Sequence, residues 1–330
     1  MLTAAQVRKP RVVIVSPALA SANNGNWQTA KRYANMLATT CMVRIVNEWD
    51  GARSDDVLIA LHARRSYSSI AAWYAQRGSE GLCVVLTGTD LYRDIKQDLQ
   101  AQQSLAWAKT LVVLQPAGLA ELPSSFQDKT RVLFQSTTTR QTLPNTNRHV
   151  RAVMVGHLRS EKSPQTFFDA AALLAARTDI ELRHIGGEHD QVLAQQAHDT
   201  ASKYPNYQFL GARSHEQTRR YIQRSHVLVH PSVMEGGAHV LMEALRSGTP
   251  VLASRIDGNL GMLGDNYPGT FEVGDARALV SLLQQCRSDQ SAEHGLLSHL
   301  LALCANRATL FEPQAERAAL HLLVQDLWTH

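Results

Sequence analysis

Two glutamates and a pair of glycines lie close together in residues 230–254. Glu235 is followed at once by Gly236 and Gly237, and Glu243 comes soon after. Glycines at the start of a helix leave backbone N–H groups open to an anion, and the helix dipole adds partial positive charge there. Carboxylates accept hydrogen bonds from sugar hydroxyl groups. The pattern indicates a diphosphate site flanked by hydroxyl contacts. The spacing alone fits a second interpretation equally well, in which Glu243 is exposed to solvent and Glu235 only interacts favourably with the helix dipole.

The apolar pattern around these residues indicates the elements that position them. Residues 227–229 are typical of a buried strand, residues 238–246 of a helix with one apolar face, and residues 251–254 of a second strand. Gly248 stands where a left-handed residue ends a helix, and Pro250 follows as a stop. The residues expected to present N–H groups to the anion are Gly236, Gly237 and Ala238.

Length and composition limit the possible functions. A chain of 330 residues suits two domains, and an apolar fraction of 44% is enough for two cores. The formal net charge of +4 is a mild excess, and the sequence contains no block of like charges. We therefore expect the protein to bind small anionic substrates and not nucleic acid. Four scattered cysteines without C-x-x-C spacing predict reduced core residues of a cytoplasmic protein. We expect no signal peptide, because no apolar region precedes the first strand, and no membrane partner, because no apolar run is long enough to span a bilayer.

Strands and helices alternate in the first half of the chain. Apolar runs predict strands at residues 12–15, 43–46, 57–61, 82–86 and 111–114. Helices are expected between them, at residues 66–76 and 96–108 among others. This alternation predicts an α/β fold with a parallel, doubly wound sheet. The loop of residues 18–26, which holds Gly25 and Asn26, is either an ordinary turn or a loop that approaches a ligand.

Charged and polar residues follow two of the predicted strands. His62 and Arg64 come directly after one strand, and Thr89 and Arg93 come after the next. The carboxyl ends of parallel strands are where such sheets bind ligands, and arginine can donate two hydrogen bonds to one phosphate group. We therefore expect these four residues to bind an anionic acceptor. Arg65 alternates away from Arg64 and is interpreted as a solvated surface group.

The second half begins after a polar segment, residues 136–148, which we interpret as the linker between domains. A strand is predicted at residues 150–155, followed by Arg159 and Lys162 and then a helix at residues 164–176. Cations beside a helix start run against its dipole. A bound anion therefore explains this basic pair better than a purely surface role.

Further elements complete the second half. Strands are predicted at residues 180–185 and 207–210. Ser214 and Gln217 have the spacing of a capping box for a helix over residues 215–224. Apolar residues at helical spacing predict a last helix over residues 313–327.

The stretch from His230 to Val251 resembles the signature of the retaining, nucleotide-sugar-dependent glycosyltransferases of family 4. That signature is P-S-x-x-E-G, then a second glutamate and A-x-x-x-G-x-P-V; here Gly237, Ala238 and His239 depart from the usual residues after E-G. The resemblance implies a GT-B fold, with two Rossmann-like domains facing a central cleft. Residues 1–145, with a C-terminal helix at 311–330, would bind the acceptor, and residues 146–310 would bind the nucleotide sugar.

The resemblance also implies roles for individual residues. Glu235 would contact the donor sugar and Glu243 the ribose, and Arg159 and Lys162 would neutralise the diphosphate in place of a metal. The catalytic residues would be Glu235, Arg159 and Lys162. The implied donor site consists of Gly25, Arg159, Lys162, Arg213, Glu235, Gly236, Gly237, Ala238 and Glu243. The implied acceptor site consists of Asn26, His62, Arg64, Thr89 and Arg93.

Nearly the whole chain, including LIALHARRS and VVLTGTDLYRDI, resembles a narrower family: the selenosugar-forming glycosyltransferases of selenoneine biosynthesis. The resemblance implies that UDP-N-acetylglucosamine and selenophosphate are the substrates, that a carbon–selenium bond forms, and that UDP and phosphate are released. It implies no cofactor, and a functional link to a selenophosphate supplier and to the next, selenoneine-forming enzyme.

Two alternatives remain at this point. One is an ordinary UDP-sugar-dependent O-glycosyltransferase that acts on a hydroxyl group. The other is a non-catalytic or redox nucleotide-binding protein, against which the lack of a G-x-G-x-x-G motif counts.

Overall fold

The computed structural model describes residues 8–18 and 25–328. The chain forms two compact units: unit 1 is Met1–Gln135 with Pro313–His330, and unit 2 is Ser136–Glu312. Each unit contains a six-stranded sheet in which every paired strand is parallel. Helices flank both sheets, so the predicted α/β class with two parallel, doubly wound sheets is confirmed.

The sheet of unit 1 has the strand order β2-β1-β3-β4-β5-β6. Its strands are β1 Arg11–Val15, β2 Met42–Val46, β3 Val57–Leu61, β4 Leu82–Leu86, β5 Thr110–Val113 and β6 Thr130–Val132. β3 and β4 are buried along their whole length, because continuous apolar strands are covered on both faces of a parallel sheet. Their bounds coincide with the predicted strands.

The helices of unit 1 are α1 Gly25–Leu37, α2 Tyr67–Arg77, α3 Ile95–Gln97, α4 Leu99–Trp107 and α5 Ser124–Gln127. The single helix expected at residues 96–108 is therefore interrupted at Asp98. The Asp98 backbone is extended, and its carboxylate accepts a hydrogen bond from the Ala101 N–H, which begins a new helix at Leu99.

The last helix of the chain, α13 Pro313–Trp328, belongs to unit 1. Leu320 and Leu323 of α13 pack into the apolar cluster between α1 and the sheet. Glu316 accepts hydrogen bonds at 2.9 and 3.0 Å from Arg32 Nε of α1. Because the Glu316 side chain is fully buried, this ion pair fixes how α13 sits on α1.

The sheet of unit 2 has the order β12-β11-β10-β7-β8-β9. Its strands are β7 Val150–Val155, β8 Ile180–Ile185, β9 Tyr207–Phe209, β10 Val227–His230, β11 Val251–Ser254 and β12 Thr270–Phe271. The predicted bounds of β7, β8 and β11 are confirmed. β10 lies between β7 and β11, so the loop that follows it begins at the middle of the sheet edge.

The helices of unit 2 are α6 Pro164–Leu173, α7 Gln191–Lys203, α8 His215–Gln223, α9 His239–Leu245, α10 Asp257–Leu263, α11 Ala276–Ser288 and α12 Leu296–Ala308. α9 ends before Gly248, whose φ of +69° confirms the predicted left-handed residue. α8 begins with the predicted capping box, in which Ser214 and Gln217 satisfy each other's backbone N–H groups.

The polar segment expected to be a linker is irregular, yet it packs on unit 2. Arg140 N–H donates to the Arg246 carbonyl at 2.9 Å, and the buried Arg219 donates to Thr137 Oγ1 at 2.7 Å. These bonds attach the segment to unit 2, which begins at Ser136.

The four cysteines are buried and free, as expected for reduced core residues. Over residues 8–18 and 25–328, no helix is long and apolar enough to cross a membrane.

Candidate functional site

The loop from β10 to α9 carries the first glutamate and the glycine pair. It is irregular from Pro231 to Ala238, and α9 starts one residue later than predicted, at His239. The backbone N–H groups of Gly236, Gly237 and Ala238 donate to no other residue in the part of the chain that the structure describes. Three adjacent free donors before a helix form a surface suited to anionic oxygens.

Glu235 is held by a lysine and a histidine. Lys162 Nζ donates to Glu235 Oε1 at 2.5 Å, and His230 Nε2 lies 3.2 Å from the same oxygen. Burial alone would raise the pKa of Glu235, but the charge of Lys162 and the contact with His230 outweigh it and hold this pKa well below its usual range. Glu235 is therefore ionised at neutral pH, with 11% of its side chain exposed.

Backbone contacts fix Lys162 and Glu235 beside each other. Val233 N–H donates to the Glu161 carbonyl at 2.9 Å, which ties the glutamate loop to the turn that carries Lys162. The turn ends at Ser163, whose φ of +46° is unusual for a residue other than glycine. A Cβ on Gly258 would lie 1.9 Å from the Glu235 carbonyl oxygen, so α10 approaches this loop as closely as only glycine permits.

The other predicted diphosphate residue, Arg159, is exposed after β7. Within the described ranges its side chain has no hydrogen-bond or ion-pair partner. Neighbouring His157 accepts a hydrogen bond at 2.9 Å from the Gly187 N–H. Burial, with help from His189, Arg159 and Lys162, lowers the pKa of His157 to about 4, so the positive charge here comes from Arg159 and Lys162.

The second glutamate, Glu243, lies on α9 and is 7% exposed. His215 at the start of α8 approaches it, with 2.6 Å between His215 Nε2 and Glu243 Oε1. The hydrogen bond to Glu243 raises the pKa of His215. Arg213 lies nearby in sequence, after β9, and is exposed. The start of α8 and the middle of α9 thus form a second carboxylate site beside the predicted nucleotide loop.

In unit 1 the two predicted strand ends are adjacent, because β3 pairs with β4. His62 Nε2 lies 2.9 Å from Thr89 Oγ1. The buried carboxylate of Asp90 accepts hydrogen bonds at 2.9 Å from the N–H groups of Ala63, Thr87 and Gly88, which joins both loops. His62 has a φ of +75°, a strained conformation for a non-glycine residue that these contacts maintain.

The arginines of these loops have different partners. Arg64 pairs with Asp98 and Arg93 with Asp94, whereas Arg65 is exposed and makes no side-chain ion pair or hydrogen bond among the described residues. Burial lowers the pKa of His62, and the nearby charge of Arg65 lowers it further against the opposing charges of Asp90 and Asp94. Arg65 is thus exposed, in agreement with its interpretation as a solvated surface group, and its charge nevertheless acts on His62.

Gly25 and Asn26 form the first turn of α1, at the carboxyl side of β1. Residues 19–24 of the loop before them lie outside the described residues.

Four residues of these sites were not predicted from the sequence: His230, His215, Asp90 and Asp94. His230 directly precedes P-S-x-x-E, and His215 directly follows a capping serine, so their positions next to motifs were the available signal. Asp90 and Asp94 lie in a π-helical turn, Asp90–Asp94, for which the apolar pattern gives no indication.

Residues 135–296 match the family described as Glycosyl transferases group 1. The match covers unit 2 from its beginning to the start of α12, including Arg159, Lys162, Glu235 and Glu243.

Several solved structures have the same fold. Sucrose-phosphate synthase from Thermosynechococcus elongatus is 17% identical, with a TM-score of 0.74 over 97% of this chain and 99% of its own. HepE from Anabaena, in complex with UDP-glucose, is 14% identical, with a TM-score of 0.72 over 96% and 99%. TarM from S. aureus is 12% identical, with a TM-score of 0.65; it aligns with 84% of this chain, which spans only 56% of TarM.

Proposed function

From the match of residues 135–296 to the group 1 glycosyltransferases, the shared fold and the sequence resemblance, we propose that the protein is a selenosugar synthase. It would transfer N-acetylglucosamine from its UDP derivative to the selenium of selenophosphate. The selenium attacks C1 of the sugar, the bond from C1 to the β-phosphate oxygen breaks, and UDP leaves with the electron pair. Water then cleaves the selenium–phosphorus bond and releases phosphate.

The donor half of the proposal rests on one arrangement: an ionised Glu235 paired with Lys162 beside three free backbone N–H groups. The N–H groups and Arg159 would bind the diphosphate, on which negative charge grows as the sugar leaves. Glu235 Oε2 would accept from a sugar hydroxyl, and Glu243 from the ribose. HepE, with the same fold, binds UDP-glucose, which supports a nucleotide-sugar donor.

The acceptor half rests on unit 1 and on the sequence resemblance. Three arginines stand at two adjacent strand ends, and Arg65 has no carboxylate partner among the residues described. Such charge suits a phosphate-type anion and is unnecessary for a hydroxyl acceptor. Selenophosphate attacks already deprotonated at selenium, so it does not require a strong general base.

The decisive experiment is mass spectrometry of the product from purified protein, UDP-N-acetylglucosamine and selenophosphate, with UDP release measured in parallel. We expect UDP release to depend on selenophosphate and the product to contain selenium. UDP release that is unchanged without selenophosphate, together with a glycosylated hydroxyl acceptor, would instead establish the O-glycosyltransferase alternative.

A comparison of ligands tests the non-catalytic or redox alternative. A ligand that binds only the native state raises its apparent stability, so UDP should raise the thermal unfolding midpoint and NAD should not. The opposite result would favour a dinucleotide-binding protein.

A further inference from the structure

A buried histidine lies behind the carboxylate of Glu235. His230 is the last residue of β10 and is 1% exposed. Its Nε2 lies 3.2 Å from Glu235 Oε1, but the two groups are not aligned as a hydrogen bond. Across residues 8–18 and 25–328, this nitrogen has no hydrogen-bond partner. A buried polar atom without a partner costs folding free energy, so its position calls for an explanation.

The two oxygens of Glu235 have different surroundings. Oε1 faces both Lys162 and His230. Oε2 accepts no hydrogen bond from the residues that the structure describes. The carboxylate is therefore held through one oxygen, while the other remains available to a ligand.

In the proposed reaction Lys162 has two possible partners, the carboxylate of Glu235 and the diphosphate of the donor. Its ammonium group has to neutralise the diphosphate as the sugar departs, yet here it is engaged by Glu235. A diphosphate carries more charge than a carboxylate and attracts the lysine more strongly at the same distance. If Lys162 turns to the diphosphate, Oε1 of Glu235 loses its main partner at a largely buried position.

We propose that His230 is a positioning residue that binds Oε1 of Glu235 when Lys162 turns to the donor diphosphate. The inference rests on the proposed function and adds a residue to it. A small rotation of the carboxylate towards the imidazole would complete the hydrogen bond that Nε2 lacks. Oε2 would then stay directed at the sugar throughout the transfer.

The charge of the imidazole is consistent with this role. Burial lowers the pKa of His230, although Glu235 opposes the shift, so the ring is neutral near pH 7. Lys162 faces the ring from the turn after β7 and also disfavours its protonation. A neutral ring can donate one hydrogen bond to Glu235. Lys162 then remains available to neutralise the diphosphate.

The test is a double-mutant cycle on UDP affinity, measured by calorimetry on the full chain. His230→Ala should lower the affinity for UDP at least fivefold, because this change leaves Glu235 without a partner only in the complex with UDP. In a Lys162→Ala background no exchange of partners occurs, so adding His230→Ala should change UDP affinity less than twofold. His230→Gln, which retains an N–H donor, should stay within threefold of the wild type.

The matched control is His226→Gln, at the residue directly before β10. His226 is 3% exposed and bonds to the backbone of Arg151 and Thr146. This change should lower the unfolding midpoint and leave UDP affinity unaltered.

Equal effects of His230→Ala with and without Lys162 would overturn the inference but not the proposed function. Failure of the wild-type protein to bind UDP would overturn both. Should His230→Ala not fold, imidazole ¹⁵N NMR of the wild-type protein decides. Saturating UDP should shift the Nε2 resonance of His230 towards that of a hydrogen-bonded donor, and an unchanged resonance contradicts the proposal.

Discussion

Arg64 and Asp98 form an ion pair, with 2.9 Å between Arg64 Nε and Asp98 Oδ2. Asp98 is also the residue that caps α4, so the charge of Arg64 is partly neutralised by a carboxylate that the helix fixes in place. Arg65, the next residue, has no such partner among the residues described. The two neighbouring arginines therefore differ in how much positive charge they can offer to an anion.

This difference leads to a prediction for the acceptor. Arg65→Ala should raise the selenophosphate KM severalfold, and by more than Arg64→Ala does, because Arg64 is already paired. Neither change should alter UDP affinity, since neither residue is among those expected to bind the donor. Steady-state kinetics on both variants measures this. Arg93→Ala is a useful third variant, because Arg93 is paired with Asp94 but 43% exposed. A larger effect for Arg64→Ala would restore the order expected from the sequence.

The two glutamates should have separable effects on the donor. Glu243→Ala should weaken UDP by about 1.5–3 kcal/mol, because a charged acceptor of ribose hydrogen bonds is lost. Glu235→Ala should weaken UDP-N-acetylglucosamine more than UDP, because Glu235 Oε2 is expected to contact the sugar. Calorimetry with both ligands provides the comparison. Two variants that bind both ligands like the wild type would show that neither carboxylate contacts the donor.

His215 gives a pH-dependent prediction. Its pKa is raised by Glu243, so the folded state binds the proton more tightly than the unfolded chain. The stabilisation is then fully present below the unfolded pKa of about 6.5 and is lost as the pH rises through the raised folded pKa. His215→Gln should therefore lower the unfolding midpoint more at about pH 6 than at about pH 8.5.

The control for this prediction is His198→Gln. His198 also faces a carboxylate, Glu188, at 3.1 Å, but that side chain is 50% exposed whereas that of Glu243 is 10% exposed. Solvent screens such a pair, so its loss should have little effect at either pH. A His215→Gln effect that is equal at both pH values would show that the His215–Glu243 pair does not couple folding to protonation.

Gly248 should be sensitive to substitution for two reasons. Its φ is +69°, and a Cβ there would lie 2.1 Å from Thr142 Oγ1 of the polar segment that packs on unit 2. Gly248→Ala should lower the free energy of unfolding by about 2 kcal/mol or more. Gly274 has a φ of +82° but open space around it, so Gly274→Ala isolates the backbone strain, about 1 kcal/mol. Chemical denaturation measures both, and equal losses would mean that the contact with Thr142 adds nothing.

Strands that are buried on both faces could be predicted from the sequence to the residue. Val57–Leu61 and Leu82–Leu86 are continuous apolar runs that are buried along their whole length, and both have the predicted bounds. β6 and β12 were not predicted, because three and two residues at the sheet edges give no periodic signal. α10 was not predicted either; two glycines within it lower helix propensity, and the close approach of Gly258 to Glu235 explains one of them.

The sequence was sufficient to predict which residues belong to the candidate sites, but not which side chains they contact. The motif gave Glu235, Glu243 and Lys162, and the strand ends gave His62 and Thr89, which the structure brings within 2.9 Å of each other. The side-chain partners depend on tertiary structure. The expected alternation of Arg64 and Arg65 assumed extended backbone, whereas residues 62–66 form a turn in which that alternation does not apply.

The buried ion pair between Arg32 and Glu316 has a consequence for biosynthesis. Ribosomes add residues from the N-terminus, so α1 and its sheet emerge long before α13. Until Glu316 arrives, Arg32 lacks its carboxylate, and the apolar surface that Leu320 and Leu323 cover stays open to solvent. Unit 2 has no such dependence on the last helix and can mature first. Completion of unit 1 is thus a late event of synthesis, and the half-formed unit is the stage most exposed to aggregation and most dependent on chaperones.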